Sequence, residues 1–187
     1  MYEVSDLLEE MNERKPLVLI VDDVPKNIQL LSLILSRKNY EIAFAVSGEQ
    51  ALEMLDSISP ELILLDIVMP GMDGFEVCEK IKANPITEGI PIIYLTGRAS
   101  AEDIKKGFQT GAVDYISKPF NSEELLARVR THIELKRNQD MKDSLISLLQ
   151  KTVARFKDIA ELVPDSDEVK GTDDIAAVIE NFVRDKL

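Results

Sequence analysis

Five polar side chains that could perform chemistry together stand where apolar segments of the 187-residue sequence end. They are Asp22, Asp23, Asp66, Thr96 and Lys118. If these residues meet, the three carboxylates repel one another, and their pKa values rise and become coupled unless a cation lies between them. Carboxylate oxygens suit Mg²⁺ better than a transition metal, which prefers His or Cys ligands. The set therefore predicts a magnesium site.

The chemistry that this set could perform is phosphoryl transfer onto a carboxylate. An aspartate is a competent nucleophile toward phosphorus when the transferring oxygens are neutralised and held, and Asp66 is the candidate. Mg²⁺ on Asp22 and Asp23 would neutralise one side of the phosphoryl group. Lys118 would pair with another side, and the Thr96 hydroxyl would donate a hydrogen bond. Each residue alone has an ordinary explanation, such as a helix N-cap or a turn residue, so the hypothesis depends on the whole set.

Alternating strand-like and helical segments would bring these side chains together. The strands are predicted at 17–21, 41–46, 61–65, 90–95 and 112–116. The helices are predicted at 26–38, 48–57, 73–83, 100–110 and from 121 onward. This order predicts a doubly wound α/β fold, (βα)5, with a five-stranded parallel sheet. Right-handed crossovers place the carboxyl ends of all strands at one edge, where such sheets hold their ligands.

Four motifs resemble the receiver domain of two-component response regulators, a flavodoxin-like and CheY-like family. They are LVLIVDD, LILLDIVMPGMDG, PIIYLT and DYISKPF, at 17–23, 62–74, 91–96 and 114–120. The resemblance covers roughly residues 16–136. It implies transfer of a phosphoryl group from a histidine kinase onto Asp66 and slow self-dephosphorylation. It also implies Mg²⁺ bound by Asp23 and Asp66, with Asp22 assisting and the backbone carbonyl of Val68 as a further ligand.

The family's switch pair corresponds to Thr96 and Tyr115. The resemblance implies that, on phosphorylation, the hydroxyl moves toward the phosphoryl group and the aromatic ring turns inward. The surface formed by the predicted helix 100–110, the last strand and the following helix would then change. The alternative for Tyr115 is a partly buried strand residue. The bond between Lys118 and Pro119 is usually cis in this family, whereas the sequence shows only that proline permits it.

Further helical segments are predicted on both sides of the receiver. We expect a short amphipathic helical segment at 1–16, the receiver at 17–136, a helical or coiled-coil extension at 137–163, and an acidic linker with a short amphipathic helix at 164–187. Apolar residues of the extension follow a heptad spacing. They are Ile146, Leu149, Val153, Phe156, Ala160 and Val163. This pattern favours a homodimer or a partner helix; the alternative is packing against the final segment.

Composition limits the classes of partner and location. A net charge of −12 argues against direct binding of nucleic acid, which depends on Lys and Arg neutralising phosphates. No apolar run is long enough to span a membrane and residues 1–16 lack signal-peptide features, so a cytoplasmic protein is expected. Cys78 has no second cysteine to pair with. The sole histidine, His132, lacks a kinase phosphoacceptor motif and is interpreted as an ordinary helix residue.

The leading hypothesis is a response regulator that is phosphorylated on Asp66 by a sensor histidine kinase or phosphotransfer protein. It would signal through contacts with a downstream protein and would not be a dedicated enzyme. The alternatives are a constitutive adaptor or scaffold with a structural receiver, and the regulatory part of a larger hybrid signalling system. A magnesium phosphohydrolase using Asp66 as nucleophile is disfavoured, because it would need an acid/base Asp where Val68 stands.

Overall fold

The computed structural model describes residues 14–97, 107 and 109–162, except for the side chains of 153 and 156–162. The predicted N-terminal helix, the predicted helix 100–110 and the segment 164–187 lie wholly or almost wholly outside these residues. Within the described residues no helix is long and apolar enough to cross a membrane.

Five parallel strands form one sheet, which confirms the predicted fold class. The strands are β1 (Leu17–Val21), β2 (Glu41–Ala45), β3 (Leu62–Asp66), β4 (Ile92–Thr96) and β5 (Asp114–Ser117). Their order in the sheet is β2-β1-β3-β4-β5. The order reverses direction beside β1, since the chain moves to β2 on one side and to β3 on the other. In doubly wound folds such a reversal opens a crevice at the carboxyl edge of the sheet.

Four helices accompany the strands in the part of the chain that the structure describes. They are α1 (Pro25–Ser36), α2 (Gly48–Leu55), α3 (Gly74–Ala83) and α4 (Ser122–Leu162). The prediction of an uninterrupted helix from 121 onward is confirmed as far as Leu162. The chain divides into two compact units, Met1–Asn138 and Gln139–Leu187. The domain boundaries proposed from the sequence stay predictions.

The core consists of two apolar layers, one on each face of the sheet. Neighbouring strand residues point to opposite faces, so Leu19 and Ile63 join one layer while Ile20 and Leu64 join the other. The first layer is completed by α2 and α3, and the second by α1 and the start of α4. Each fully buried Leu or Ile side chain contributes about 1.5–3 kcal/mol of transfer free energy. This covering on both faces explains why β1, β3 and β4 read as continuous apolar runs.

The loop after β3 folds back tightly against the strand. The Gly74 N–H donates to the Ile67 carbonyl over 2.9 Å. A Cβ at Gly74 would collide with the Asp66 carbonyl and would lie 2.8 Å from Ile67 Cα, so only glycine fits. Asp73 then starts α3 with a capping box shared with Glu76. The loop after Asp66 is therefore closed at Gly74 and continues directly into α3.

Candidate functional site

Three carboxylates meet at the carboxyl edge of the sheet, as the strand ends predicted. Asp22 and Asp23 directly follow β1, and Asp66 is the last residue of β3. One oxygen from each carboxylate lies within 4.8 Å of the others, the only such acidic group of three or more among the described residues. Asp22 is fully buried and Asp66 is 5% exposed, whereas Asp23 is half-buried. These oxygens form a concentrated negative site of the kind that holds a hard cation.

Lys118 neutralises part of this negative charge. Its Nζ lies 2.9 Å from Asp22 Oδ2 and 2.7 Å from Asp66 Oδ2. The residue follows β5 directly, and its backbone N–H donates to the Thr96 carbonyl over 2.7 Å, which continues the strand pairing by one residue. The peptide bond to Pro119 is cis. One ammonium thus bridges two carboxylates from strands β1 and β3.

Asp22 is held by donors that the sequence analysis did not identify. Asn27 Nδ2 donates to both oxygens of the Asp22 carboxylate over 2.9 Å, and the Val24 N–H donates to Oδ1 over 2.9 Å. With Lys118 on Oδ2, protein groups donate to both oxygens of this buried carboxylate. The signal in the sequence was Pro25, which starts α1 and so places Asn27 in the first turn.

The electrostatics of the site are unbalanced. Burial raises the pKa of Asp66 above its ordinary value and the Asp22 charge adds to this, while Lys118 and the Val68 N–H oppose the rise without cancelling it. Burial lowers the pKa of Lys118, but the hydrogen bonds and charges of Asp66 and Asp22 outweigh this and the pKa is raised. One ammonium therefore faces more negative charge than it can neutralise, and the site would gain from additional positive charge.

The other predicted site residues lie around this cluster. Thr96 is the last residue of β4 and is buried, one residue beyond the partner of Asp66 in the β3–β4 register. Val68 is 77% exposed, and its N–H lies 3.4 Å from Asp66 Oδ1. Hydrogen bonding by the Thr96 hydroxyl and metal binding by the Val68 carbonyl stay predictions.

Tyr115 lies on β5, three residues before Lys118, and its side chain is half-buried. The guanidinium carbon of Arg128 stands 5.9 Å from the centre of its ring. Arg128 also binds Asp114, and His132 contacts the same carboxylate. The sequence analysis did not identify these contacts, because they depend on how α4 is rotated against β5.

Comparison with known proteins agrees with this geometry. The profile of the response regulator receiver domain matches residues 18–130. A Vibrio cholerae protein named "Probable cyclic di-GMP phosphodiesterase" is 50% identical over 124 residues, which are 66% of this chain and 28% of that protein. The DNA-binding response regulator MtrA of Mycolicibacterium smegmatis is 36% identical over 138 residues, or 74% of this chain and 58% of MtrA. The chain thus spans less than two thirds of either relative.

The fold has solved counterparts. The chemotaxis protein CheY4 of Vibrio cholerae superimposes with a TM-score of 0.61 and 32% sequence identity, covering 63% of this chain and 98% of CheY4. The profile match includes the carboxyl ends of all five strands and the acidic cluster. The chain belongs to the response regulator receiver family, whose members are phosphorylated on an aspartate.

Proposed function

We propose that Asp66 accepts a phosphoryl group from a histidine kinase or a phosphotransfer protein, and that the protein signals this state through contacts with another protein. The observation that carries the proposal is the Lys118 ammonium, which lies 2.7 Å from Asp66 and 2.9 Å from Asp22 within a cluster of three carboxylates. A nucleophilic carboxylate, a cation beside it and room for a second cation are what phosphoryl transfer requires.

The donor set fits Mg²⁺. Asp23 and Asp66 would hold the ion, with Asp22 and the Val68 carbonyl assisting, and when bound it would supply positive charge against the phosphoryl oxygens. The carboxylate oxygens, which lie within 4.8 Å of one another, support this assignment because Lys118 offsets only part of their charge. No histidine or cysteine belongs to this cluster, which favours a hard cation over a transition metal.

The transfer step follows from the chemistry of the carboxylate. An Asp66 oxygen attacks the phosphorus atom of the phosphohistidine, the bond from phosphorus to the imidazole nitrogen breaks, and that nitrogen keeps the electron pair. The product is an acyl phosphate on Asp66. Lys118 pairs with the phosphoryl oxygens, and the Thr96 hydroxyl donates to one of them. Water later hydrolyses the acyl phosphate slowly, and Thr96 with Tyr115 changes the surface around β5.

The output of this switch is a contact between proteins. The net charge of −12 disfavours direct binding of DNA by this chain, although the relative MtrA is a DNA-binding response regulator. The 124 residues aligned with the phosphodiesterase-named relative are 28% of that protein, and we assign the regulatory receiver function to this segment. It could equally serve as the regulatory part of a larger signalling protein. The cytoplasmic location and the absence of a membrane contact stay predictions.

The phosphoacceptor assignment is tested by intact mass. The protein is incubated with Mg²⁺ and acetyl phosphate, with EDTA in a parallel sample. We expect the gain of one phosphoryl group in the unmodified protein and in Asp56→Asn, a matched control at an exposed aspartate that follows α2. Asp66→Asn and the EDTA sample should show none. A mass gain that persists in Asp66→Asn would contradict the proposal.

We also propose that α4 beyond Asn138 binds a second copy of the chain. Apolar side chains there are exposed. They are Met141, Leu145, Ile146, Leu148 and Leu149. A heptad-like apolar stripe on a long helix is typical of a coiled-coil interface. Light scattering should give a dimer mass for the unmodified protein and for the control Gln150→Glu, and a monomer mass for Ile146→Glu/Leu149→Glu, which changes two residues of the heptad pattern. A monomer in all samples would reject the dimer and favour another partner.

A further inference from the structure

The guanidinium of Arg128 connects α4 to β5 beside Tyr115. Its Nη1 lies 2.7 Å from both carboxylate oxygens of Asp114, and its Nε donates to Glu124 Oε1 over 3.0 Å. Asp114 Oδ1 also accepts the Tyr115 N–H over 2.8 Å, and His132 Nε2 lies 3.1 Å from Asp114 Oδ2. Carboxylates on two separate elements therefore fix the plane and position of this one cation.

The fixed guanidinium contacts the aromatic ring of Tyr115. The distance of 5.9 Å from Arg128 Cζ to the ring centre is within the range of a cation–π interaction. The Tyr115 backbone is anchored to the same carboxylate that binds Arg128, since Asp114 precedes it in β5. Tyr115 also packs against the apolar layer that α2 and α3 complete. The Arg128 guanidinium and this apolar layer therefore both restrain the ring.

The Arg128 cluster differs from an ordinary surface ion pair on the same helix. The Asp114 side chain is 16% exposed and Arg128 is 35% exposed, and the guanidinium binds two carboxylates, Asp114 through Nη1 and Glu124 through Nε. The Arg130–Glu134 pair begins two residues further along α4; its side chains are 69% and 66% exposed, and Arg130 Nε lies 4.0 Å from Glu134 Oε1. Exposed pairs of that kind contribute little to structure. Of these two pairs, the Arg128 cluster has the burial and geometry to hold a neighbouring ring in place.

The charge on Asp114 is itself maintained by this cluster. Burial tends to raise the pKa of Asp114, but hydrogen bonds from Arg128, from the Tyr115 N–H and from His132 outweigh this and lower the pKa. Asp114 is therefore an anion at neutral pH and remains available to Arg128. The Asp114 carboxylate therefore binds the Arg128 guanidinium at neutral pH.

We propose that Arg128 is a positioning residue for Tyr115, whose ring orientation it holds in the unphosphorylated protein. The inference rests on the proposed function, because it takes Tyr115 as the residue whose ring turns when Asp66 is phosphorylated. Turning the ring separates it from a guanidinium that Asp114 and Glu124 keep in place. Arg128 therefore opposes the turned state, and phosphorylation has to overcome this restraint.

Removal of the guanidinium shifts the equilibrium between the two ring orientations. Loss of one cation–π contact of ordinary strength changes the ratio by about fivefold toward the turned orientation. Because the coupling is reciprocal, the turned orientation in turn favours the phosphorylated state. The effect on Tyr115 precedes any phosphorylation and is measurable without it.

Fluorine NMR of fluorotyrosine-labelled protein tests the inference. The chain has four tyrosines and no tryptophan, and Tyr115→Phe identifies the Tyr115 resonance. The variants are Arg128→Gln, which removes the charge, Arg128→Lys, which keeps the charge without the planar group that reaches both Asp114 and Glu124, and the control Arg130→Gln. Spectra are recorded with Mg²⁺ alone and with Mg²⁺ plus acetyl phosphate. Intact mass is measured on the same samples.

In the absence of acetyl phosphate, we expect Arg128→Gln to shift the Tyr115 resonance toward the position that it has in the phosphorylated unmodified protein. Arg128→Lys should move it less, and Arg130→Gln should leave it in place. A Tyr115 resonance that responds equally to Arg128→Gln and Arg130→Gln overturns the inference. If the mass shows phosphorylation while Tyr115 does not respond to it, the switch role and the inference both fail, yet the phosphoacceptor assignment stands. Absence of the mass gain instead rejects the proposed function.

Discussion

The two edges of the β-sheet each hold a cation bound to carboxylates, but they differ in the balance of charge. At the carboxyl edge the Lys118 ammonium faces the carboxylates of Asp22 and Asp66. At the amino edge the Arg137 guanidinium binds one carboxylate, with Nε 2.6 Å and Nη2 3.0 Å from the two oxygens of Glu61, and it also donates to the Arg14 carbonyl over 3.0 Å.

The difference indicates which edge performs chemistry. A planar guanidinium that matches one carboxylate in a bidentate pair satisfies both groups, and such a pair serves mainly to hold chain segments together. A compact ammonium among several carboxylates leaves negative charge unpaired, and burial, with the Asp22 charge adding to it, raises the pKa of Asp66. Unbalanced charge at the ends of buried strands is typical of a functional site and supports the proposal for Asp66, whereas a balanced ion pair is typical of a structural contact.

The largest effect is expected from removing the cation at the carboxyl edge. Lys118→Met should slow phosphorylation of Asp66 by acetyl phosphate by about 100-fold or more, because a preorganised charge beside the transferring oxygens is lost. The matched change at the amino edge, Arg137→Met, should leave the phosphorylation rate within about twofold of that of the unmodified protein, because Arg137 lies at the other edge of the sheet. Time courses of intact mass measure both rates. Equal slowing by the two substitutions would show that the edges do not differ in function.

Added Mg²⁺ should stabilise the protein through the carboxyl edge alone. At a free concentration 100 times the dissociation constant, binding to the folded state raises the free energy of unfolding by about 2.7 kcal/mol. Urea unfolding with Mg²⁺ and with EDTA measures the difference. Asp23→Asn should abolish the Mg²⁺ effect, whereas Glu61→Gln should retain it. Retention of the full effect in Asp23→Asn would place the ion elsewhere.

The Arg137–Glu61 ion pair at the amino edge should contribute to the free energy of unfolding without affecting phosphorylation of Asp66. The side chains of Arg137 and Glu61 are 24% and 25% exposed, so solvent screens part of their attraction. We expect Glu61→Gln or Arg137→Met to lower the free energy of unfolding by about 1 kcal/mol, and the double substitution to cost less than the sum. Urea unfolding in EDTA measures all three variants. Strict additivity would indicate that the two side chains act independently.

The smallest effect is expected from acid titration of Asp114. Because its folded-state pKa is lowered, ionised Asp114 contributes stability above its unfolded pKa of about 4, and this contribution is lost as pH falls through the folded pKa. The loss should be below about 1 kcal/mol, since the group is partly exposed. Asp114→Asn should be less stable than the unmodified protein at neutral pH, with a difference that shrinks in acid. A difference independent of pH would contradict the assignment.

The succession of strands along the chain and the location of Asp66 could be predicted because both follow from local patterns. Continuous apolar runs such as Leu17–Val21 can be buried only in the middle of a covered parallel sheet, and the carboxyl ends of parallel strands must share an edge. The strand boundaries in the structure differ from the predicted boundaries by at most two residues. That shift placed Asp66 and Thr96 as the last residues of β3 and β4 instead of the first residues after them.

The partners of individual charges could not be predicted in the same way. Lys118 and Asp22 are 96 residues apart in sequence, Arg137 and Glu61 are 76 apart, and Arg128 and Asp114 are 14 apart. Sequence spacing says nothing about which rotamer a long side chain adopts or which way a helix is turned on the sheet. Those choices are made by the packing of the whole apolar layer beneath the helix.

The sequence by itself determined the fold class, the edge of the sheet that carries the carboxylates and the family to which the motifs belong. It did so because strand burial and turn chemistry are properties of short segments. Only the tertiary structure decided that Asn27 holds Asp22, that Lys118 bridges two carboxylates and that Arg128 stands over Tyr115. The physical reason is that hydrogen bonds and ion pairs require agreement within about 1 Å, and only the closely packed core brings distant segments together with that accuracy.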